Sequence, residues 1–557
     1  MRHPYALLLG ALALIPTASA QDADRQAREF IARHEAEIKP LEIASAKTWW
    51  DANTSGKDAD FAAKEEAQNR LDSALAEPAR FAPLKALKSA KITDPLLRRQ
   101  VDLLYLQYLE KQVDPDLLKQ MTAKANLIEK AFNAARAKVG GEELADSAVR
   151  KRLKESKDSA DLKAVWEASK VVGSKVEADL KELVGLRNRA ARSLGYNDFH
   201  ALQLALNEQE QDKVVALFDD LDALTREPFL KAKADIDERL AKRLGIAVAD
   251  LRPWHYQDPF FQESPAVFEA DLDAVYSQVD ILKLCRDFYK GINLPIDDVI
   301  ARSDLYEKPG KSPHAFCTDI DRLGDVRVLA NIVPNEYWMG TMLHELGHSV
   351  YSSKNIPAEL PYVVRAEAHI LATEGIAMLF EKFSKDADWL VAMGVKLDDP
   401  REFDRVGSLL RRNRLLIFSR WCQVMLRFEK AMYANPDQDL NKLWWDLAEK
   451  YQGLKRPEGR NAPDYAAKIH IVSAPAYYHN YAMGEMFAAQ VHHAIAREAL
   501  GGIDPGKAIY VGQPEVGAFL KAKVFSRGRL LPWNELTKYA TGAELNPKAF
   551  AADFSAR

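Results

Sequence analysis

Thr341-Met342-Leu343-His344-Glu345-Leu346-Gly347-His348 is the stretch on which the reading of this chain turns. His344 and His348 stand four residues apart, and on an α-helix positions i and i+4 project from one face about one turn apart. Two imidazoles so placed can reach one metal ion, with Glu345 beside them free to act on a water. Trp338, Met339, Met342, Leu343, Leu346 and Val350 give the segment an apolar side, as expected of a helix in the floor of a cleft. The helix is predicted to begin at Pro334 or Asn335. Just before it, residues 326–333 are β-branched and apolar between Gly324 and Pro334. With a second such run at 314–318, they predict a small sheet beside the helix.

Outward from this unit the chain reads as helix. Apolar residues recur with a 3.6-residue period over 160–192, 213–244 and 404–433, in stretches rich in Ala, Leu, Lys and Glu. A chain of 557 residues, 47% hydrophobic and 28% charged, can bury a large core, and its make-up excludes wholesale disorder. No Pro/Gly/Ser-rich linker interrupts it, so residues 21–557 are read as one catalytic domain. The net charge of −4 is spread over interleaved Lys/Arg and Asp/Glu, which gives no one-signed field and argues against nucleic acid as partner.

At the N-terminus, Arg2 and His3 precede an apolar stretch over 5–15, and Ala18-Ser19-Ala20 supplies small residues before Gln21. Residues 1–20 thus read as a cleavable secretory leader, which places the mature chain in a periplasmic or extracellular space. The apolar run is shorter than the ~20 residues a bilayer span needs, and no later segment reaches that length. Cys285, Cys317 and Cys422 are the three cysteines; they allow at most one bridge, and buried free thiols are expected.

A catalytic zinc takes three protein ligands and keeps a further position for water. Downstream of His348, a helix predicted over 366–382 offers Glu367 and Glu374, seven residues apart on one face. Either can turn to a metal while the other orients an imidazole, and His369 is a third candidate. Ile370, Leu371, Ile376, Met378, Leu379 and Phe380 surround them and argue for burial.

With these residues on the page, the chain resembles the angiotensin-converting enzyme family of zinc dipeptidyl carboxypeptidases. His314-Ala315 stands thirty residues before His344, as the family's H-A dipeptide does before its first metal-binding His. Thr373-Glu374-Gly375-Ile376-Ala377 is similar to the segment bearing the family's third ligand, which favours Glu374 over Glu367. Met378 replaces an Asp that orients an imidazole in the family, so Glu367 or Glu381 must serve here. Lys468-Ile469-His470 and Tyr478-His479-Asn480-Tyr481 resemble the family's K-x-H and Y-x-R-Y elements, with one extra residue between them. The resemblance implies that His470 and Tyr481 donate hydrogen bonds near the scissile carbonyl. It further implies that Lys468 and Tyr478 grip the peptide's terminal carboxylate, joined by Gln262, and that Ala315 and His314 lie on a strand that pairs with substrate. Asn480 stands where animal members carry a chloride-binding Arg, so chloride activation of that kind is not expected. Further echoes run from Trp50-Asp51-Ala52-Asn53-Thr54 through Leu194-Gly195-Tyr196 to Pro532-Trp533-Asn534-Glu535.

What the resemblance implies overall is a mostly α, two-lobed zincin-type fold with a deep central channel and a small β-sheet near the active site. It implies one Zn2+ held by His344, His348 and Glu374, Glu345 as general base, and short peptides as substrates; apart from the resemblance, a monomer is expected. Release of dipeptides from peptide C-termini is the expected activity. An oligoendopeptidase of thimet type, which needs no free C-terminus, is the alternative within the same chemistry. A silent peptide-binding protein is the alternative outside it.

Overall fold

The computed structural model describes residues 20–268 and 272–554. The leader read over residues 1–20 lies outside them except for Ala20, where the first helix begins. As expected, helices dominate. Those that position the site are α1 (Ser159–Ser193), α2 (Gln211–Leu244), α3 (Glu336–Tyr351), α4 (Ile370–Glu381), α5 (Pro400–Ala434) and α6 (His479–Glu498). Side-chain caps fix several ends. The Asp158 carboxylate accepts from Ala160 N and Asp161 N at the start of α1, and Asp399 does the same for α5 ahead of Pro400. Gly245, at φ +67°, closes α2 in the left-handed region.

Two small antiparallel sheets complete the fold among the described residues. The hairpin β1 (Ala137–Val139) and β2 (Glu142–Leu144) turns through Gly140 and Gly141, both at positive φ. Beside the metal-motif helix, β3 (Phe316–Asp319) pairs with β4 (Val326–Leu329), from Phe316 opposite Leu329 to Asp319 opposite Val326. Both strands are shorter than the sequence predicts. Residues 314 and 315 precede β3, and beyond β4 the amides of Ala330 and Ile332 turn to the carbonyls of Asp304 and Leu305.

A second boundary changes the chemistry. The helix predicted over 366–382 starts at Ile370, because His369 caps it, with its ring nitrogen accepting from Leu371 N at 3.0 Å. Glu367 therefore lies outside α4 and does not share a face with Glu374.

Three glycines bring α3, α4 and α6 into close contact. A Cβ on Gly347 would lie 2.7 Å from Ala377 Cα, and one on Gly375 would lie 2.7 Å from the Phe487 ring and 2.8 Å from Gly484 O. Only glycine allows these helix axes to approach so closely, which sets the depth at which α4 presents its carboxylates to α3. The apolar side of α3 is buried as expected, with Trp338, Met339, Met342, Leu343, Leu346 and Val350 all in the core. Cys285 and Cys422 are buried and Cys317 half-buried, all three as free thiols. No helix among the described residues is long and apolar enough to cross a membrane.

Candidate active site

Asn335 starts α3 by accepting from Trp338 N at 2.9 Å, and the helix then presents His344 and His348 together. Their Nε2 atoms face each other at 3.1 Å, and His344 Nε2 lies 3.6 Å from Glu374 Oε2. Ligand atoms from all three residues lie within 4.8 Å of one another. Tetrahedral bonds of ~2.1 Å place ligand atoms roughly 3.4 Å apart, so the spacing suits one small cation. Neither Glu367 nor His369 joins this group; His369 Nε2 instead meets the Asn207 carbonyl at 2.9 Å.

The far side of each imidazole is tied down. His344 Nδ1 meets Glu381 Oε2 at 3.0 Å, and His348 Nδ1 meets Thr373 Oγ1 at 2.8 Å. Both Nε2 atoms are thereby turned inward, the arrangement in which imidazoles ligate a metal. Of the two residues named to replace the carboxylate missing at Met378, it is Glu381 that fills the role, two turns of α4 beyond Glu374. Burial would raise the Glu381 carboxyl, but Arg414 at 3.3 Å, the hydrogen bond to His344 and nearby Lys385 outweigh it and hold it well below the usual carboxylate range. It therefore stays ionised, which strengthens His344 as a donor. Exchanging Glu381 for Gln is expected to weaken metal binding about 10- to 100-fold, measurable by competition with a chromogenic chelator.

The facing imidazoles need positive charge between them. Burial opposes a proton on His344, yet Glu381, Glu345 and Glu374 together push it up to about 9. Burial and the charge on His344 push His348 down to about 3. The proton thus belongs to His344, whose Nε2 faces that of His348. A dication answers the same electrostatic demand from the three surrounding carboxylates, so the donor set fits a metal.

Glu345, the next residue after His344 on α3, is 8% exposed. Burial pushes its carboxyl up to about 7, against the lowering effects of His344 and of a hydrogen bond from the Cys317 N–H of β3. Of the residues expected on the substrate strand, His314 is exposed, Ala315 is half-buried, and neither lines the cavity over the metal ligands.

That cavity holds about 1200 Å³ and brings together His344, Glu374, Gln262, Lys468, His470, Tyr478 and Tyr481. Residues separated by more than two hundred positions meet there. Lys468 Nζ donates to Gln262 Oε1 at 2.7 Å and sits against the rings of Phe260, Trp421 and Tyr478, at 5.2, 5.2 and 5.4 Å from their centroids. Burial pushes Lys468 down to about 8 although Asp258 works the other way. The His470 ring packs 5.1 Å from that of Tyr478, and burial and Lys468 push it down to about 4, so it is neutral at pH 7. Burial and Glu374 push the Tyr481 phenol up, keeping it a hydrogen-bond donor. Asn480 is buried, and its Oδ1 accepts from Gln209 Nε2 at 2.7 Å; it brings no cation to this position.

Sequence reasoning did not find what shapes the loop between His470 and Tyr478. Arg187 of α1 donates to the carbonyls of Ile471 (2.8 Å) and Val472 (2.6 Å), and Glu429 of α5 accepts from Ala476 N at 2.7 Å. Ala476 has φ +53°, a conformation non-glycine residues hold only under such constraint. No local pattern announces these partners, since Arg187 lies 284 positions from Ile471.

Comparison with known proteins identifies the family. The family model described as angiotensin-converting enzyme matches residues 21–229 and 258–555. The chain is 24% identical over 442 residues to the angiotensin-converting enzyme-like protein Ace3 of Mus musculus, covering 72% of this chain and 58% of that one. It is 21% identical over 582 residues to the angiotensin-converting enzyme of Theromyzon tessulatum, covering 97% and 92%. With that of Rattus norvegicus it shares 22% over 438 residues, covering 70% of this chain and 32% of the relative. The chain thus spans little more than half of the mouse protein and a third of the rat one. The family model accounts for most of the chain, including both histidines, Glu374 and the Lys468–Tyr481 segment, and the protein belongs to the angiotensin-converting enzyme family of peptidases.

Proposed function

We propose that the protein is a zinc-dependent peptidyl-dipeptidase that releases dipeptides from the C-termini of short peptides. The observation that carries the reading is the contact between Lys468 and Gln262 in the same cavity as His344 and Glu374, two of the three residues that can share a metal ion. A buried ammonium with an amide beside it suits a carboxylate that arrives with the substrate, and such a grip makes a free C-terminus part of recognition.

Zinc, when bound, supplies a Lewis acid that polarises the scissile carbonyl and acidifies water. Glu345 takes the proton from the attacking water and can pass it to the departing amine, so no covalent nucleophile is needed. Tyr481 OH and the neutral His470 line the cavity as hydrogen-bond donors to the oxygen that gains charge; loss of one such donor typically costs ~10²–10³ in rate. Asn480, buried against Gln209, supports activity that does not require chloride. The leader at residues 1–20 supports work outside the cytoplasm on peptides arriving there.

The test compares a short peptide with its C-terminally amidated form. Dipeptide release from the first and no cleavage of the second is expected. Equal internal cleavage of both would favour an oligoendopeptidase and overturn the carboxylate grip. In the same assay, Lys468→Met is expected to raise KM at least about tenfold with little change in kcat. The wild-type KM should rise with pH above about 8: Lys468 is charged below that value and loses its proton above it, and the variant should show no such rise.

A further inference from the structure

Beyond Lys468, the same cavity contains a second buried lysine to which the proposed reaction gives no task. Lys170, on α1, is 3% exposed and lines the cavity together with His344 and Glu374. Its ammonium lies 3.1 Å from the centre of the Phe260 ring, and Lys468 lies 5.2 Å from the same ring. The two cations thus share one aromatic wall. Lys468 has Gln262 as its acceptor, but no hydrogen-bond acceptor or ion-pair partner meets the Lys170 ammonium among the described residues.

The nearby carboxylates are engaged elsewhere. Asp258 Oδ1 accepts from Phe260 N and Gln262 N, both at 2.9 Å. Asp464 receives both arms of Arg460, at 2.8 and 2.6 Å, and Trp445 Nε1. Arg150, which also lines this end, is paired with Asp146 and Glu263. Lys170 faces only the rings of Phe260 and Trp166, the latter at 5.2 Å; a buried cation with no anion in contact is costly, and the cost is removed by an anion that enters with a ligand. Burial pushes Lys170 down to about 7 although Asp464 and Asp258 work the other way, so it is partly charged at neutral pH and takes up a proton when an anion arrives.

We propose that Lys170 is a specificity-determining residue that receives the side-chain carboxylate of the substrate's C-terminal residue, so that the cavity favours peptides ending in Asp or Glu. The proposal rests on the reading that Lys468 and Gln262 hold the α-carboxylate. A C-terminal Glu then presents two carboxylates to two ammonium groups across Phe260, whereas Gln presents one.

The experiment measures binding of alanyl-glutamate and alanyl-glutamine, the products of dipeptide release, to the zinc-loaded full chain by calorimetry. Wild type is expected to bind alanyl-glutamate about tenfold or more tightly than alanyl-glutamine. The tighter binding should come with net proton uptake, seen as a dependence on the buffer's ionisation heat near pH 7.5. Lys170→Met and Lys170→Gln should each abolish the preference and leave alanyl-glutamine binding within about threefold of wild type; two variants guard against one that fails to fold. Equal binding of both dipeptides by wild type would overturn the proposal, and so would a preference that survives in both variants. An equal loss of both ligands in the variants would also overturn it, since Lys170 would then be a second grip on the α-carboxylate. Failure of the underlying reading shows separately: a longer peptide ending in Ala-Gln would release no dipeptide.

Discussion

Glu345→Gln is expected to keep its zinc and to lower kcat by about 10²–10⁴. The side chain follows His344 directly on α3 and is 8% exposed, with the Cys317 amide of β3 nearby. It is absent from the group of atoms that can share a cation, so the amide should not disturb the ligands. What the amide cannot do is take a proton. Metal content by mass spectrometry and turnover on a short peptide, measured on one preparation, separate the two effects. Near-normal turnover would remove Glu345 as the base, and loss of metal would mean that it ligates.

The second large effect distinguishes two glutamates that the sequence leaves side by side. Glu374→Ala is expected to cost more metal affinity than the roughly 100-fold that loss of an orienting partner costs, because it removes one of three donors. Glu367→Ala should leave metal content unchanged. The reason is the start of α4 at Ile370: Glu374 is carried on the helix to within 3.6 Å of His344 Nε2, while Glu367 stays on the approach, near Asp319, Arg322 and Arg529. Burial pushes Glu367 up to about 7, so its replacement removes a group that is partly neutral at pH 7. Metal loss in the Glu367 variant with retention in the Glu374 variant would reverse the assignment.

The metal helix was legible in sequence because its information is local. Four-residue spacing puts two imidazoles on one face, and an apolar side with an Asn cap defines the helix that carries them. The long helices around α1, α2 and α5 were legible for the same reason, their ends shifting by a few residues where Asp158 and Asp399 supply caps. The start of α4 was not. A run of apolar residues from Ile370 onward extends the helical pattern, and only the ring of His369, accepting from Leu371 N, shows where the pattern begins. The β1–β2 hairpin escaped because three-residue strands carry too little alternation to register, although Gly140-Gly141 marked its turn.

The site's outer partners depend on contacts between distant segments. Glu381 could be named only as one of two replacements for a missing carboxylate; the packing of α3 against α4 through Gly347 chooses it. Nothing in the local sequence sets Lys170 apart within its helix. Its meaning comes from Phe260, which it shares with Lys468 although the three residues lie in separate parts of the chain. Arg187 and Glu429 belong to the same class, as they shape the loop carrying Tyr478 from helices far away in sequence.

The central claim is that peptide hydrolysis runs on one metal held by His344, His348 and Glu374. Stripping the purified protein with a chelator and titrating zinc back, while following both bound metal and dipeptide release, tests it most directly. The account predicts that activity disappears on stripping and returns in proportion to zinc, reaching its full value at about one ion per chain. Activity that survives in the stripped protein, or that returns without zinc, would contradict it.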